Sequence, residues 1–482
     1  MNYNNLCDIL DNMRESDKTA LINLDQEQLS YQELYTSSNN FAKYLQESSV
    51  NVITLLPNDL SYVVALFGIW YASRTAVPLG VDLTDSAICT IAEFCEADTI
   101  IIEAKDSGRD FGRLKPIIIN KHLFDQHKLT VQPGFLQISP NSIALLLSTT
   151  GTSSSPKYVQ LTHDNILSAV KGISTAFELV EDCCELIIGP LGFSTSLVAQ
   201  LMVVLYSKGK LVIYSGPINP QRIARLIKQY NVTFTGATTS LAKLIFNNNA
   251  PEELSSLKGL VTGGEPVTKE FIEMLSQSYP HCRVMQCYGL TETSSMATGY
   301  ISDAEVPIGS AGKAMSHVQI RIVNENGEEC PAGVRGEILF RGDSVTKGYY
   351  KNDSLNAAAF DNGWFKTGDI GMLDEQGYLF ILGRLKNMLI VGGQNVYPEE
   401  VEECLLSHPL VQNAYVYGEE HEVLGEAPVA KVVLKPEAVI TENELYRHCK
   451  ERLSSLKIPK RIIFEDKISL NAMGKQIRIK RE

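Results

Sequence analysis

The stretch Ile143-Ala144-Leu145-Leu146-Leu147-Ser148-Thr149-Thr150-Gly151-Thr152-Ser153-Ser154-Ser155-Pro156-Lys157 joins an aliphatic run to a loop of hydroxyls, one glycine and one lysine. Ile143 to Leu147 is short and uninterrupted, as a strand buried on both faces is. A helix is expected from about His163, so the order reads strand, loop, lysine, helix. Backbone N–H groups and hydroxyls in such a loop donate to anionic oxygens, and a lysine adds positive charge beside them. The loop therefore points to a nucleotide triphosphate. Clusters of Ser, Thr, Gly and Pro also mark plain surface loops, so the loop needs company before it carries a function. A Walker loop fits badly: it requires Gly-Lys-Ser/Thr, whereas Lys157 follows Pro156 and precedes Tyr158.

Working outward, apolar runs alternate with amphipathic segments from about 140 to 290. Lys210–Tyr214, Val232–Thr235, Leu257–Thr262 and Arg283–Cys287 read as strands. Helices are expected from Asn219, with Pro220 in its first turn, over 239–247 and over 266–278. This βαβα alternation predicts an α/β fold with a mainly parallel sheet covered by helices. The segment 50–103, with runs at 51–56, 62–72 and 99–103, predicts a second layered unit. After 310 short strands (319–323, 336–341, 378–382) separated by Asn326-Gly327 and Gln376-Gly377 predict a small antiparallel β region. The last hundred residues predict a small α+β domain, with helices over 398–407 and 441–454 and strands near 411–417 and 428–434. The expected division is a large N-terminal domain over 1–383, a hinge at 384–388 and a mobile C-terminal domain over 389–482.

Composition narrows the function classes. A chain of 482 residues exceeds one ordinary core. A net charge of −13 argues against a general nucleic-acid binder, whose partner demands basic surface. The 10 cysteines include the adjacent pair Cys183-Cys184 but no CxxC, so neither a zinc site nor a disulfide framework is expected. No basic segment followed by an apolar stretch opens the chain, and no apolar run reaches membrane-spanning length. The expected location is the cytoplasm, with no membrane span.

Further segments carry chemistry. Gln286-Cys287-Tyr288-Gly289-Leu290-Thr291-Glu292 starts as a strand, then offers an aromatic, a hydroxyl and a carboxylate. Ligands in open α/β sheets sit outside the carboxyl ends of strands, where this segment and the 149–157 loop should emerge. Tyr288 is placed to stack on a purine, Thr291 to bond a phosphate and Glu292 to hold Mg²⁺. Asp369, in Trp364-Phe365-Lys366-Thr367-Gly368-Asp369, reads as a turn aspartate suited to a ribose diol, with turn capping as the plain alternative. Arg384 and Lys386 follow in Gly383-Arg384-Leu385-Lys386, and Lys475 in Asn471-Ala472-Met473-Gly474-Lys475.

In this order and spacing these segments resemble the adenylate-forming superfamily of acyl- and aryl-CoA synthetases, peptide-synthetase adenylation domains and beetle luciferases. TTGTSSSPK is similar to its phosphate loop and Gly263-Gly264-Glu265-Pro266 to its adenine-side loop; YGLTE, WFKTGD, GRLKNMLIVGGQNVYPEEVE and NAMGKQIR complete the set. The resemblance implies a two-step ligase using ATP, Mg²⁺ and a thiol. A carboxylate attacks the α-phosphate, pyrophosphate leaves, and a thiol then attacks the acyl-adenylate. It also implies that Thr149, Thr150, Gly151, Thr152, Ser153 and Lys157 embrace the phosphates, with Gly264 and Glu265 beside the adenine. Tyr288 would stack on adenine, Thr291 would meet the α-phosphate, and Glu292 would hold Mg²⁺. Asp369 and Arg384 would hold the ribose and Lys475 the charge of the first step. Lys386 would mark the hinge and Gly393 the thiol channel.

Phe193, Ser194, Gly236 and Cys287 would line the acid pocket. Amino-acid-activating relatives carry Phe-Asp-x-Ser where this chain has Phe193-Ser194-Thr195-Ser196, so a buried substrate ammonium would be unpaired. Phe193 also replaces the histidine of many CoA ligases, and Cys287 stands where glycine is common and would narrow the pocket. A small or medium apolar, non-α-amino acid is therefore expected, aromatic or short- to medium-chain. CoA is the expected acceptor; a separate acyl or peptidyl carrier protein is the alternative. Ser154 and Tyr158 depart from the family's phosphate loop, which leaves a weakly active adenylate-binding regulatory protein as a further alternative.

Overall fold

The computed structural model describes residues 3–119, 138–149, 157–264, 267, 269–301, 307 and 309–468. The chain forms two compact units. Unit 1 comprises Met1–Val306, Ala314–Gln319 and Arg341–Gly363; unit 2 comprises Pro307–Lys313, Ile320–Phe340 and Trp364–Glu482. The boundary expected at 384–388 thus falls inside unit 2, and the small β region groups with the C-terminal residues in these units.

The strands of unit 1 are β1 (Thr19–Ile22), β2 (Gln28–Ser30), β3 (Asn51–Leu55), β4 (Thr75–Pro78), β5 (Thr99–Glu103), β6 (Lys115–Ile119) and β7 (Ile143–Ser148). They continue with β8 (Tyr158–Thr162), β9 (Cys184–Ile187), β10 (Lys210–Ile213), β11 (Phe234–Ala237), β12 (Gly259–Gly263), β13 (Arg283–Leu290) and β14 (Ser295–Ile301). One sheet runs β6-β5-β3-β4-β7-β8, parallel except for the antiparallel pair β7–β8. A larger sheet runs through β14-β13-β12-β11-β9-β10-β1-β2, parallel from β13 to β1. The expected α/β class and parallel sheets are therefore present.

Two details differ from the sequence reading. Ile143–Ser148 belongs to the sheet built from 51–119 rather than to the 184–290 series, because β7 pairs with β4 through Ala76 and Leu145. A strand also intervenes between lysine and helix. β8 folds back on β7 with Ser148 opposite Tyr158 and Leu147 opposite Val159, so the hydroxyl-rich segment lies between two antiparallel strands. The helix then starts at His163 as expected, where Thr162 and Asn165 form a reciprocal capping box.

The helix Leu60–Tyr71 is apolar nearly all round and buried on every side but one residue, as a core helix is. It ties both sheets together: Trp70 Nε1 donates to Ala144 O on β7 at 3.0 Å, and the Tyr62 hydroxyl donates to Leu191 O just after β9 at 2.9 Å. One face of the larger sheet is sealed by the helices Pro220–Tyr230, Thr239–Asn247 and Lys269–Ser278. The first of these shows why the sequence folds so. Asn219 accepts from Arg222 N as N-cap, Pro220 fills the first turn, and Asn231 closes the helix at φ +51°. Its Ile223, Ala224 and Ile227 meet Leu186 and Leu260 in one apolar cluster.

Unit 2 contains a β region with strands at Gln319–Val323, Gly336–Arg341, Trp364–Leu373 and Leu379–Arg384. Its last part pairs Val411–His421 with Gly425–Leu434 as a long hairpin and packs the helices Pro398–Leu406 and Glu442–Lys450 on it. Among the described residues no helix is long and apolar enough to cross a membrane.

Candidate active site

β8 and the end of β13 are laced together inside unit 1 through residues 346–350. Thr149 N donates to Lys157 O at 3.1 Å and closes the base of the loop. Tyr158, one residue on, points the other way: it is fully buried among Leu146, Ile100 and Cys95, with its ring 6.0 Å from that of Phe94. The departure from the family pattern at Tyr158 is thus a packing choice in the core. Residues 346–350 run beside β8. Gln160 N donates to Gly348 O at 3.1 Å and Tyr350 N to Tyr158 O at 2.8 Å, while Thr346 N donates to Glu292 O at 2.7 Å.

After Leu290 the chain turns through a single short helical turn, Thr291–Thr293, and leaves it through Ser294 and Ser295 at φ +54° and +95°. The Thr293 hydroxyl fastens this reversal by bonding Leu290 O and Ser295 O, each at 3.0 Å. The turn keeps Tyr288 and Thr291 half-exposed while Glu292 is buried. The Tyr349 hydroxyl donates to Glu292 Oε1 at 2.7 Å, which fixes the carboxylate's orientation. Among the described residues no cluster of three or more His, Cys, Asp or Glu side chains could cage a metal. Glu292 fits Mg²⁺ without one, because that ion is commonly held by one or two carboxylates together with phosphate oxygens and water.

Gly236 and Cys287, expected to line an acid pocket, lie on the face of the larger sheet opposite the sealing helices. On the sealed face Leu186, Thr235, Leu260 and Thr262 are wholly buried. On the other face Phe234, Gly236, Val261 and Gly263 are only half-buried, while Glu185, Ile187 and Met285 are buried. Cys287 lies on this face, with its Sγ 3.4 Å from Thr262 O as donor; burial pushes its thiol up to about 12, so it stays neutral. Phe193 and Ser194 open the helical segment Thr195–Met202, which has the wide π winding. π segments recur at functional sites because the extra residue re-aims side chains. Asn58 holds the turn before it, bonding Gly189 O, Tyr214 O and Leu191 N at 2.9–3.2 Å.

In unit 2, Asp369 is 3% exposed and its Oδ1 lies 2.6 Å from Arg384 Nε. The sequence reading of Asp369 as a turn residue is corrected: it lies in the middle of the ten-residue strand Trp364–Leu373, directly across from Arg384. Thr367 Oγ1 and Gly368, at φ +69°, make the local kink that resembles a turn in sequence. Gly392 and Gly393 form the two-residue tip between Leu389–Val391 and Gln394–Val396, at φ +57° and +79°. Both positive angles are those of the hairpin turn that favours glycine. Gly393 and Lys386 are exposed.

The family model for AMP-binding enzymes matches residues 11–350, and that for the AMP-binding enzyme C-terminal domain matches residues 400–475. The chain belongs to the AMP-binding enzyme family. Among relatives of this AMP-binding enzyme, the 2-succinylbenzoate–CoA ligase of Bacillus cytotoxicus is 31% identical over 90% of this chain and 89% of its own. That of Bacillus subtilis strain 168 is 31% identical over 96% and 94%. Among solved structures, O-succinylbenzoate coenzyme A synthetase from Bacillus subtilis with AMP superposes with a TM-score of 0.86 at 27% identity, covering 98% of this chain and 97% of that one. MatB from Rhodopseudomonas palustris with ATP gives 0.89 at 25%, covering 99% and 97%. The superfamily resemblance is borne out, and the named relatives are AMP-forming CoA ligases, the class expected from the sequence.

Thr149, Lys157, Gly264, Tyr288, Thr291, Glu292, Phe193, Ser194, Gly236 and Cys287 lie in unit 1 of the AMP-binding enzyme, and Asp369, Arg384, Lys386 and Gly393 in unit 2. Thr150, Gly151, Thr152, Ser153, Glu265 and Lys475 lie outside the described residues. Sequence reasoning missed Tyr349 and Thr346. The signal was the run Thr346-Lys347-Gly348-Tyr349-Tyr350, whose glycine sits at φ +150°.

Proposed function

We propose that this chain activates a non-amino carboxylic acid with ATP and passes the acyl group to CoA. The observation that carries the reading is the continuity of β13. Its Cys287 lies on the half-buried face, which we read as the wall of a hollow for the acid, and the same strand runs on through Tyr288 to Thr291 and to Glu292, whose carboxylate is fixed by Tyr349. An acid in the hollow would thus face the residues expected to hold a nucleotide. The curated relatives act on 2-succinylbenzoate, which puts aromatic acids first among candidates.

In the first step a carboxylate oxygen of the acid attacks the α-phosphorus, that P–O bond forms, and pyrophosphate leaves. In the second a thiolate attacks the acyl carbon and AMP leaves. The hairpin loop Thr149–Lys157 is assigned to the β- and γ-phosphates, Gly264 and Glu265 to the adenine edge, Tyr288 to the adenine face and Thr291 to the α-phosphate. Glu292 is assigned to Mg²⁺, which would neutralise phosphate charge. Asp369, held by Arg384, is assigned to the ribose hydroxyls. Lys475 is assigned to the charge developing between acid and α-phosphate, Lys386 to a hinge at 384–388 and Gly393 to the thiol's approach. The ten cysteines are free thiols, which supports a reducing, cytoplasmic setting.

Acid-dependent pyrophosphate release, with benzoate, cinnamate, hexanoate, 2-succinylbenzoate and palmitate, tests the reading. Release with the smaller acids and a CoA thioester on adding CoA is expected. Best turnover with palmitate would overturn the small pocket, and no release at all would favour an adenylate-binding regulator. Thioester formation only on a carrier protein would reassign the acceptor. Lys475→Ala should lower adenylation by about 10²–10³ while leaving thioester formation from preformed acyl-adenylate largely intact. Equal loss in both half-reactions would remove Lys475 from its role.

A further inference from the structure

Glu185 lies on β9, on the face of the larger sheet that borders the hollow, and is 3% exposed. A carboxyl so placed needs a partner, because burying an unpaired charge is strongly unfavourable. Among the described residues no lysine, arginine or histidine pairs with it. Its Oε1 accepts a hydrogen bond from Gln200 Nε2 at 2.7 Å, and its other oxygen has no partner among the described residues. Burial raises the carboxyl to about 7, an effect the Gln200 bond partly offsets.

Gln200 reaches Glu185 through a gap made for it. It lies in the π-wound segment Thr195–Met202, the same element that Phe193 and Ser194 open. Its amide occupies the space beside Gly236, where a Cβ would lie 2.5 Å from Nε2. Gly236 in turn is two residues along β11 from Phe234, the strand partner of Glu185. The glycine, the amide and the carboxyl therefore form one continuous polar patch in an otherwise apolar wall.

We propose that Glu185, oriented by Gln200, forms the far end of the acid pocket and selects an acid whose distal end carries a hydroxyl or amino donor, against the second carboxylate that the 2-succinylbenzoate of the named relatives carries. The inference rests on reading the hollow as the acid pocket. A donor at the distal end would satisfy the free carboxyl oxygen. Above pH 7, where the Glu185 carboxyl is ionised, an apolar end would strip water from that oxygen and give nothing back, and a second carboxylate would meet a like charge. Sites built to hydrogen-bond a substrate hydroxyl reject analogues lacking it far more strongly than apolar pockets reject added methylenes. Because Glu185 keeps its Gln200 bond in either case, the expected preference is at least about tenfold.

The test is pyrophosphate release at pH 8 with matched acids: benzoate, 4-hydroxybenzoate, 4-aminobenzoate and terephthalate, then hexanoate, 6-hydroxyhexanoate and adipate. The wild type should favour a donor-bearing member of a series by at least about tenfold in kcat/KM, chiefly through KM. Glu185→Leu should erase that preference while leaving the KM for ATP unchanged, and Glu185→Gln, which still accepts, should retain part of it for the hydroxy acid. Gly236→Ala, which displaces Gln200 and leaves Glu185 in place, should weaken the preference and provides a second route if Glu185→Leu fails to fold. Apolar or dicarboxylic acids equalling the donor-bearing ones in the wild type would overturn the selection and leave the pocket reading standing. So would an unchanged preference in Glu185→Leu. Absence of pyrophosphate release with every acid would overturn the pocket reading beneath it.

Discussion

The two faces of β9, β11 and β12 use the same backbone for opposite ends. On one face Leu186, Thr235, Leu260 and Thr262 are wholly buried, and three helices close over them. On the other, Gly236, Val261 and Gly263 stand half-buried, and Glu185 and Gln200 bring polar groups into the wall. Strand residues alternate between faces, so adjacent positions in sequence carry unrelated duties. The sealed face supplies stability, and the open face spends part of it on access and polarity. Substitutions one residue apart should therefore have effects of different kinds.

The largest effect is expected on the sealed face. Leu260→Ala leaves a cavity among Leu186, Ile245 and Val284 and should cost about 2–5 kcal/mol in chemical denaturation. The relative kcat/KM values across the acid panel should stay as in the wild type. A changed acid preference in this variant would break the division between faces.

Next in size is the pH dependence of stability contributed by Glu185. Its folded-state value of about 7 lies above the ordinary 4.5, so between those values the folded chain binds more protons than the unfolded one. Stability contributed at acid pH is then lost as pH rises through that window, by about 3 kcal/mol in all. Glu185→Gln should remove this fall, which denaturation midpoints at pH 5 and pH 8 would register. His163 acts in the other sense. Burial lowers it to about 4, so its contribution is lost as pH falls from 6.5 toward that value. The difference between wild type and Glu185→Gln isolates the carboxyl, and a parallel pH profile in both would mean that Glu185 is not buried as a proton-binding group.

A smaller effect tests the carboxylate of Glu292, proposed to hold Mg²⁺. Tyr349→Phe keeps the ring and removes the donor to Glu292. A hydrogen bond to a charged group contributes about 1.5–3 kcal/mol, so Mg²⁺–ATP should bind about 10- to 150-fold more weakly by calorimetry. ATP without Mg²⁺ should bind as in the wild type. Equal weakening in both conditions would show that Tyr349 acts instead through Val159 and the β7–β8 hairpin, against which its backbone lies.

The sequence made the parallel strands and their helices legible because both are local patterns: Pro220 with Asn219 for a helix start, aliphatic runs for buried strands. Glu292 and Asp369 were legible as members of ordered motifs. What escaped was non-local. β8 looked like a continuation of the loop, since only pairing with β7 makes Tyr158 a core residue. Asp369 looked like a turn residue because Gly368 sits beside it, and the strand around it is defined by non-local partners, Arg384 on one side and the strand Gly336–Arg341 on the other. Tyr349 touches Glu292 across 57 positions, and Glu185 reads in sequence as one charge among 56 acidic residues. Its meaning comes from the amide that a glycine on another strand lets in.

The smallest effect is expected at Cys287, on the open face. Its thiol is neutral and makes one weak bond to Thr262 O, so Cys287→Ala should change stability by only about 1 kcal/mol. The sulfur stands where a Cβ on Gly263 would lie 2.7 Å away, which makes it the nearest side chain to the space that glycine leaves. Removing it enlarges the hollow at that point by roughly one methyl-sized volume. Among straight-chain acids from butyrate to decanoate, the variant's pyrophosphate-release optimum should move about one methylene longer than the wild type's. An unmoved optimum with unchanged stability would mean that the acid's chain runs past Cys287 toward Glu185, and the length limit would then belong to the Glu185–Gln200 pair.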